Sequence, residues 1–135
     1  MPTLSVSVKH MKDHVAIGQQ EDTHVLPLDR PEATGGTELG FNGGHLMLLG
    51  WGGCFKSVMV ASADARDIEV SNIRLAIEGD VVDTPKRFDE LRMEVSFDAD
   101  LAPDEKQKLV DIAAKGCAVT NTLDRATDMT IELVD

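Results

Sequence analysis

Cysteine is scarce in this chain, which contains two residues, Cys54 and Cys117, far apart in the sequence. Two distant cysteines cannot form a zinc ribbon, a CxxC redox motif or a disulfide scaffold. The four histidines also lack the spacing of metal ligands: His10, His14, His24 and His45. We therefore expect no metal site and no cofactor, and we expect a cytoplasmic location, because free thiols are typical of reducing compartments.

Positive charge is scarce as well, with 13 Lys and Arg against 24 Asp and Glu and a net charge of −11. An acidic surface repels the phosphates of nucleic acids, and no basic cluster interrupts it. We therefore expect no nucleic-acid partner. The first residues also lack the basic segment, apolar segment and cleavage site of a signal peptide, so we expect no secretion signal.

The longest apolar segment, residues 42–63, predicts a helix that is buried on most sides. Asn42 is suited to cap the first turn of this helix. The segment contains Gly50, Gly52 and Gly53, each of which costs a helix about 1 kcal/mol relative to alanine. Three glycines so close together indicate that a neighbour needs the space, either another helix packed at short distance or a small ligand lying against the backbone.

A membrane span is a third interpretation of the same segment, because residues 44–63 are nearly long enough to cross a bilayer. Lys56 and the three glycines weaken this interpretation. The remainder of the chain has a water-soluble composition, since the whole sequence is 42% hydrophobic and 27% charged. We therefore expect no membrane partner.

Before the central helix, the pattern of apolar residues predicts three short strands over residues 4–8, 14–19 and 23–28. The third strand is predicted to stop near Pro27. Residues 29–41 follow as a long loop rich in glycine and proline. A loop of this length is a candidate functional segment.

After the central helix, alternating apolar residues over 73–77 and 91–97 predict two strands paired as a long hairpin. Two dipeptides are candidates for its turn: Gly79-Asp80 and Thr84-Pro85. A second helix is predicted over residues 103–116, and residues 117–123 are predicted as a short helix or a turn. The alternation over residues 129–133 predicts a last strand.

This order of elements predicts an α+β fold in a single domain of residues 1–135, rather than a doubly wound sheet. A helix that is apolar on nearly every side needs cover on nearly every side. One chain of this length has few elements to supply that cover. We therefore predict a homodimer in which the central helices of two chains share one core.

Three features together resemble the OsmC/Ohr family of osmotically inducible and organic hydroperoxide resistance proteins. These are the three opening strands, the leucine-rich segment that ends in Gly-Gly-Cys54, and the heptad C-A-V-T-N-T-L that begins at Cys117. The heptad is similar to the family pattern C-P-V-S-N-T-L, with Ala118 and Thr120 replacing proline and serine. The separation of the two cysteines also matches, and the resemblance covers nearly the whole chain. It implies an intertwined α+β homodimer.

The resemblance implies a thiol-dependent peroxidase that reduces organic hydroperoxides and is regenerated by a dithiol or a lipoyl protein. By position, Cys54 corresponds to the peroxidatic cysteine and Cys117 to the resolving cysteine. The sequence itself also gives a reason to expect a reactive thiol at Cys117. Cys117 follows Gly116 at a predicted helix start, where the helix dipole lowers a thiol pKa, so Cys117 is a candidate for the more reactive thiol.

The chain departs from the family pattern in the groups that stabilise the peroxidatic thiolate. Family peroxidases carry a carboxylate ten residues before the first cysteine, in the pattern N-P-E-Q/E-L, and an arginine in the N-terminal strand and loop region. Here Gly44 stands at the carboxylate position, and no arginine aligns. The helical neighbours of Cys54 are uncharged. Candidates for a stabilising group therefore lie elsewhere in the chain: Arg30, His14, His24, Arg125 and His45.

Two functions remain open from the sequence. In the first, Cys54 and Cys117 are the redox pair of a peroxidase, and the hydroperoxide tail binds beside three residues of the central helix: Met47, Gly50 and Trp51. In the second, the protein is a catalytically degenerate relative that binds a small apolar ligand at the dimer interface, and its cysteines are unreactive core residues. The retained cysteine pair favours the first function, and the missing carboxylate and arginine favour the second.

Overall fold

The computed structural model describes residues 2–134 and has the predicted α+β architecture. It divides into two compact units, Met1–Met47 and Leu48–Asp135, each described here by itself. The prediction of a single domain over the whole chain stays a prediction.

The first unit contains an antiparallel meander of three strands: β1 (Ser7–Lys12), β2 (Val15–Gln20) and β3 (His24–Leu28). The three predicted strands are thus confirmed, although β1 begins later than the alternation of apolar residues indicated. Pro27 lies inside β3, opposite Ile17, instead of ending the strand. Pro27 has no backbone N–H to donate. An edge strand such as β3 tolerates this loss, because it has a partner strand of this sheet on one side only.

The predicted long loop of the first unit is ordered around a buried carboxylate, Asp29, which is 5% exposed. The two carboxylate oxygens accept four hydrogen bonds: from Arg30 N at 2.7 Å, Thr37 N at 3.0 Å, Thr37 Oγ1 at 2.6 Å and Leu39 N at 3.1 Å. The Thr37 hydroxyl is the largest influence, and these bonds outweigh burial, so the pKa of Asp29 falls to about 2. Asp29 therefore holds the two ends of the loop together.

Helix α1 covers Gly43–Asp64. Its predicted cap is confirmed, since the Asn42 side chain accepts a hydrogen bond from Gly44 N at 2.7 Å. Burial differs from the prediction, because a single stripe of residues three or four apart is buried: Gly52, Phe55, Met59 and Ala63. The other faces of α1 are half-buried or exposed in the single chain, and Leu49 is 51% exposed.

Among residues 2–134, α1 is the one helix that is long and apolar enough to cross a membrane by length and composition. The core helix of a water-soluble domain meets the same criterion. The buried stripe of α1 packs against other elements of the second unit, as a core helix does.

The second unit contains a hairpin of β4 (Ser71–Asp83) and β5 (Lys86–Asp98), with its turn at Thr84-Pro85, the second of the two candidate positions. Helix α2 covers Pro103–Gly116, and α3 covers Ala118–Leu123. The start of α2 is stabilised by Glu105, whose carboxylate accepts a hydrogen bond from Ala102 N at 3.1 Å. The bounds of α2 are those predicted, and the short helix after it is confirmed.

The predicted last strand is wrong for the single chain. Residues 126–134 form no strand within the described part of the structure. The apolar residues of that segment are almost fully exposed: Met129 at 80%, Ile131 at 94% and Leu133 at 97%. A strand needs a partner to satisfy its backbone groups, and the described residues of this chain provide none for this segment.

The buried core of the second unit is formed by α1, β5, α2 and the junction after α2, with residues of β4 and α3 partly buried against it. Its buried residues are Phe55, Met59, Ala63, Phe97, Leu109, Ala113 and Cys117. At Gly52, a Cβ atom would lie 2.5 Å from Ile77 Cδ1. A strand side chain therefore fills this notch, and not the helix or the ligand that the sequence predicts. Gly50 and Gly53 face open space in the part of the chain that the structure describes.

Candidate thiol site

Two elements of the second unit bring Cys54 and Cys117 together. Cys54 lies on α1 next to the buried Phe55, and it is half-buried. Cys117 is 0% exposed and lies in extended backbone between α2 and α3. The end of α2 approaches α1 closely, because a Cβ atom on Gly116 would lie 3.1 Å from Val58 Cγ1. Both cysteines are free, and Cys54 packs against the buried core cluster that contains Cys117.

The surroundings of Cys117 favour its thiolate despite its burial. Burial by itself raises the pKa of the Cys117 thiol. Hydrogen bonds from the Thr120 hydroxyl, the Thr120 and Val119 N–H groups and the Cys54 side chain outweigh burial, so the pKa of Cys117 lies below its usual value. The Thr120 N–H donates to Cys117 Sγ at 3.4 Å, as expected when Cys117 caps the start of α3. All of these groups are uncharged.

Trp51 connects α1 to the same heptad. Its indole Nε1–H donates to Thr120 Oγ1 at 2.8 Å. Trp51 lies three residues before Cys54 and so shares its side of the helix. The sequence places Trp51 beside the hydroperoxide tail and Thr120 within the heptad, and it does not predict their contact. The only sequence signal was the equal spacing of three residues between each polar group and its cysteine.

Asn121 of the heptad has the structural role expected from its residue type. Its side-chain Nδ2 donates to the carbonyl of Lys115 at 3.0 Å, near the end of α2. Carbonyl groups in the last turn of a helix have no intrahelical partner, so this bond fixes the junction at which Cys117 sits.

The candidate stabilising groups fall into two sets. Arg30, His14, His24 and His45 are exposed residues of the first unit. Arg125 is an exposed residue of the second unit, in the turn after α3. Their role toward Cys54 stays a prediction for all five.

The residues predicted to bind the hydroperoxide tail are also divided between the units. In the second unit, Gly50 is exposed and Trp51 is half-buried beside Thr120, whereas Met47 belongs to the first unit. Within residues 2–134, no group of three or more His, Cys, Asp or Glu side chains is arranged to hold a metal ion. The second unit holds two free thiols at one core cluster.

Comparison with known proteins gives the family. The sequence matches the family model described as OsmC-like protein over residues 35–132. No curated protein matches the sequence.

Solved structures of this family share the fold. An OsmC-like protein from Mycoplasma pneumoniae is 20% identical with a TM-score of 0.82, covering 91% of this chain and 88% of that chain. The organic hydroperoxide resistance protein OsmC from Legionella pneumophila is 21% identical with a TM-score of 0.67, covering 91% and 90%. The organic hydroperoxide resistance protein OhrB of Bacillus subtilis is 19% identical with a TM-score of 0.61, covering 88% of each chain. The family match spans most of the sequence and the fold agrees with it, so this chain belongs to the OsmC-like protein family.

Proposed function

We propose that this protein is a thiol-dependent peroxidase that reduces organic hydroperoxides through Cys54 and Cys117. The observation that carries the proposal is the location of two free thiols in one core cluster of the second unit, where the Cys54 side chain helps to lower the pKa of Cys117. Perturbed thiols of this kind are typical of reactive cysteines. The substrate class is supported by the family and by the names of two structural relatives, which are organic hydroperoxide resistance proteins.

The difference in exposure supports the two roles that we propose. Cys54 is half-buried and Cys117 is fully buried, so a hydroperoxide reaches Cys54 first. The Cys54 thiolate attacks the distal peroxide oxygen, the O–O bond breaks, and the alkoxide leaves and takes up a proton as the alcohol. Cys54 is then a sulfenic acid. The Cys117 thiolate attacks its sulfur, the S–O bond breaks, and hydroxide leaves and takes up a proton as water.

The product is a Cys54–Cys117 disulfide, so two thiols have been oxidised and one hydroperoxide has been reduced to an alcohol and water. A dithiol or a lipoyl protein reduces the disulfide by thiol–disulfide exchange and completes the cycle. This regeneration needs a reducing compartment, and a cytoplasmic location fits the two free thiols.

The active protein in this proposal is a homodimer. Gly50 and Gly53 on α1 face open space, and Leu49 beside them is exposed. The apolar residues near the C-terminus are exposed as well. A second copy of the chain covers both surfaces and places two central helices in one core.

A second candidate function is binding without catalysis. The observation that favours it is Gly44, which stands where the family peroxidases carry their carboxylate. In this alternative the apolar surface of the central helices holds a small apolar ligand, and the two thiols are structural.

The test is consumption of cumene hydroperoxide with dihydrolipoamide or dithiothreitol as reductant. We expect turnover by the wild type, complete loss in Cys54→Ser, and slow turnover with accumulated sulfenic acid in Cys117→Ser. Ser57→Ala, at an exposed position of the same helix, is the matched control and should keep wild-type activity. Equal rates for the wild type and Cys54→Ser would refute the peroxidase. An inactive wild type that is stabilised thermally by apolar ligands would support the binding alternative.

A further inference from the structure

A fully buried thiol is a poor resolving group unless its surroundings compensate for burial. Closing the disulfide requires the thiolate of Cys117, because the thiolate and not the thiol is the nucleophile. Cys117 is among the largest fully buried side chains of the described chain, and burial disfavours its charged form. The groups that face its sulfur therefore decide whether it can act.

Thr120 supplies two of those groups. Its backbone N–H donates to Cys117 Sγ at 3.4 Å, and its hydroxyl lies near enough to the same thiol to lower the pKa of Cys117. A hydroxyl has one hydrogen to donate and can accept at its oxygen. The Thr120 hydroxyl can therefore donate a hydrogen bond to Cys117 only if it does not donate to another acceptor.

Trp51 favours the orientation in which the Thr120 hydroxyl directs its hydrogen to Cys117. An indole N–H is a donor and never an acceptor, and the Trp51 N–H donates to Thr120 Oγ1 at 2.8 Å. The Thr120 oxygen is thereby occupied as an acceptor, and its hydrogen is left for the sulfur. A hydroxyl that accepts one hydrogen bond also donates a stronger one.

We propose that Thr120 is a positioning residue for Cys117, and that Trp51 is a positioning residue for Thr120. Together they keep the Cys117 sulfur ready to attack the oxidised Cys54, forming the S–S bond as the S–O bond breaks and hydroxide leaves. This role in turnover rests on the proposed peroxidase function, whereas the effect on the Cys117 thiol does not. The titratable group that faces Cys117 from α1 is Cys54, and Lys115 near the end of α2 is exposed.

The first test is a titration of Cys117 by the ultraviolet absorbance of its thiolate, in a Cys54→Ser background where it is the remaining cysteine. Thr120→Val keeps the shape and removes the hydroxyl, and it should raise the midpoint by about one pH unit, which lowers the thiolate fraction about tenfold at a given pH. Thr120→Ser restores a hydroxyl and should return the midpoint. An unchanged midpoint in Thr120→Val would refute the role of its hydroxyl.

The second test separates Trp51 acting through Thr120 from Trp51 acting by packing. Trp51→Phe keeps an aromatic ring and removes the indole N–H, so it should raise the midpoint by less than Thr120→Val does. In the Thr120→Val background the same change should add nothing, because the hydroxyl through which it acts is gone. Independent, additive shifts would refute the linkage. If Thr120→Val does not fold, an unchanged midpoint in Trp51→Phe would still refute the role of the indole N–H.

The third test uses the full cysteine pair in a single turnover with cumene hydroperoxide. Thr120→Val should slow disulfide formation about tenfold near neutral pH, with sulfenic acid trapped on Cys54, and higher pH should restore the rate. Formation of the sulfenic acid should keep its wild-type rate. A rate of disulfide formation equal to wild type would overturn the role in turnover. A protein that consumes no hydroperoxide but shows the titration shifts would lose the peroxidase proposal and keep the positioning of Cys117.

Discussion

Two glycines on α1, one residue apart, face different surroundings and allow a controlled test of how the central helix packs. A Cβ atom added at Gly52 would lie 2.5 Å from Ile77 Cδ1 and 3.7 Å from Leu75 Cδ1. A Cβ atom added at Gly53 meets nothing within 4 Å in the described part of the chain. Gly52→Ala and Gly53→Ala are therefore a matched pair at neighbouring positions of one helix.

The expected magnitude follows from two contributions. Both substitutions gain about 1 kcal/mol because alanine favours a helix more than glycine does. Gly53→Ala has nothing to offset this gain, so it should raise the melting temperature by roughly 3 to 5 °C for a domain of this size. At Gly52, Ile77 must leave its preferred rotamer or move outward, and overpacking of a core costs about 1 to 3 kcal/mol. The helix contribution cancels in the comparison, so Gly52→Ala should be the less stable variant by about 1 to 3 kcal/mol.

Urea unfolding followed by circular dichroism measures both free energies, with equal slopes required for the comparison. The double variant Gly52→Ala/Ile77→Val removes the crowded methyl group and should recover part of the loss. Gly52→Ala as stable as Gly53→Ala would refute the packing of β4 against α1. Gly53→Ala that destabilises the protein and weakens self-association would show that a second chain occupies the open space beside Gly53.

Three further predictions concern other parts of the chain. Asp29→Asn should destabilise the protein above about pH 4, and the difference from wild type should vanish on acidification. Folding lowers the pKa of Asp29 from 3.8 to about 2, so the carboxylate stabilises the protein above its unfolded pKa and loses this effect as the pH falls through its folded pKa. Thermal unfolding across this pH range measures the difference. Oxidation of Cys54 and Cys117 to a disulfide should raise the free energy of unfolding by up to about 4 kcal/mol, and Cys117→Ser should show no change with oxidant; urea unfolding under both conditions is the check. Ile131→Lys should lower the molar mass seen by light scattering if the exposed C-terminal residues form a dimer contact, while Thr130→Lys, on the opposite face of an extended segment, should leave it unchanged.

Elements marked by local signals could be predicted from the sequence. The Asn42 cap and the bounds of α2 depend on residues within one turn of the helix end, and the structure has them as predicted. The alternation in the hairpin also predicted two strands, although both run longer than the alternating segments. Local chemistry decides these features, so local sequence is sufficient to predict them.

The fixed loop around Asp29 could not be predicted in the same way. Its carboxylate accepts hydrogen bonds from Thr37 and Leu39, eight and ten residues later, and of these donors only the Thr37 hydroxyl belongs to a side chain. Two glycines of the loop lie where no side chain fits, since a Cβ atom would overlap the carbonyl of Arg30 at Gly36 and the carbonyl of Pro27 at Gly40. A glycine required by such a close approach looks, in the sequence, like any other glycine in a loop.

The candidate site was only partly accessible from sequence, for a related reason. The cysteine pair was found through the resemblance to a family, because no periodicity brings residue 54 next to residue 117. The contact of Trp51 with Thr120 joins residues 69 positions apart and depends on how α3 is placed against α1. Contacts of this kind are products of the fold, so they become visible only with the structure.

Two features of the chain concern different steps of the proposed reaction. The missing family carboxylate concerns the attack on the hydroperoxide, and the hydrogen bonds at Cys117 concern disulfide formation. The donors around Cys117 are neutral and close to its sulfur, so they act on the thiol that closes the disulfide. The family carboxylate and arginine act on the peroxidatic thiol, and Gly44 removes the carboxylate from this chain. If the protein is a slow peroxidase, its slow step is therefore the attack of Cys54 on the hydroperoxide, and not resolution by Cys117. In the proposed reaction, Cys117 is then prepared for its step, and the charge that activates Cys54 comes from another group.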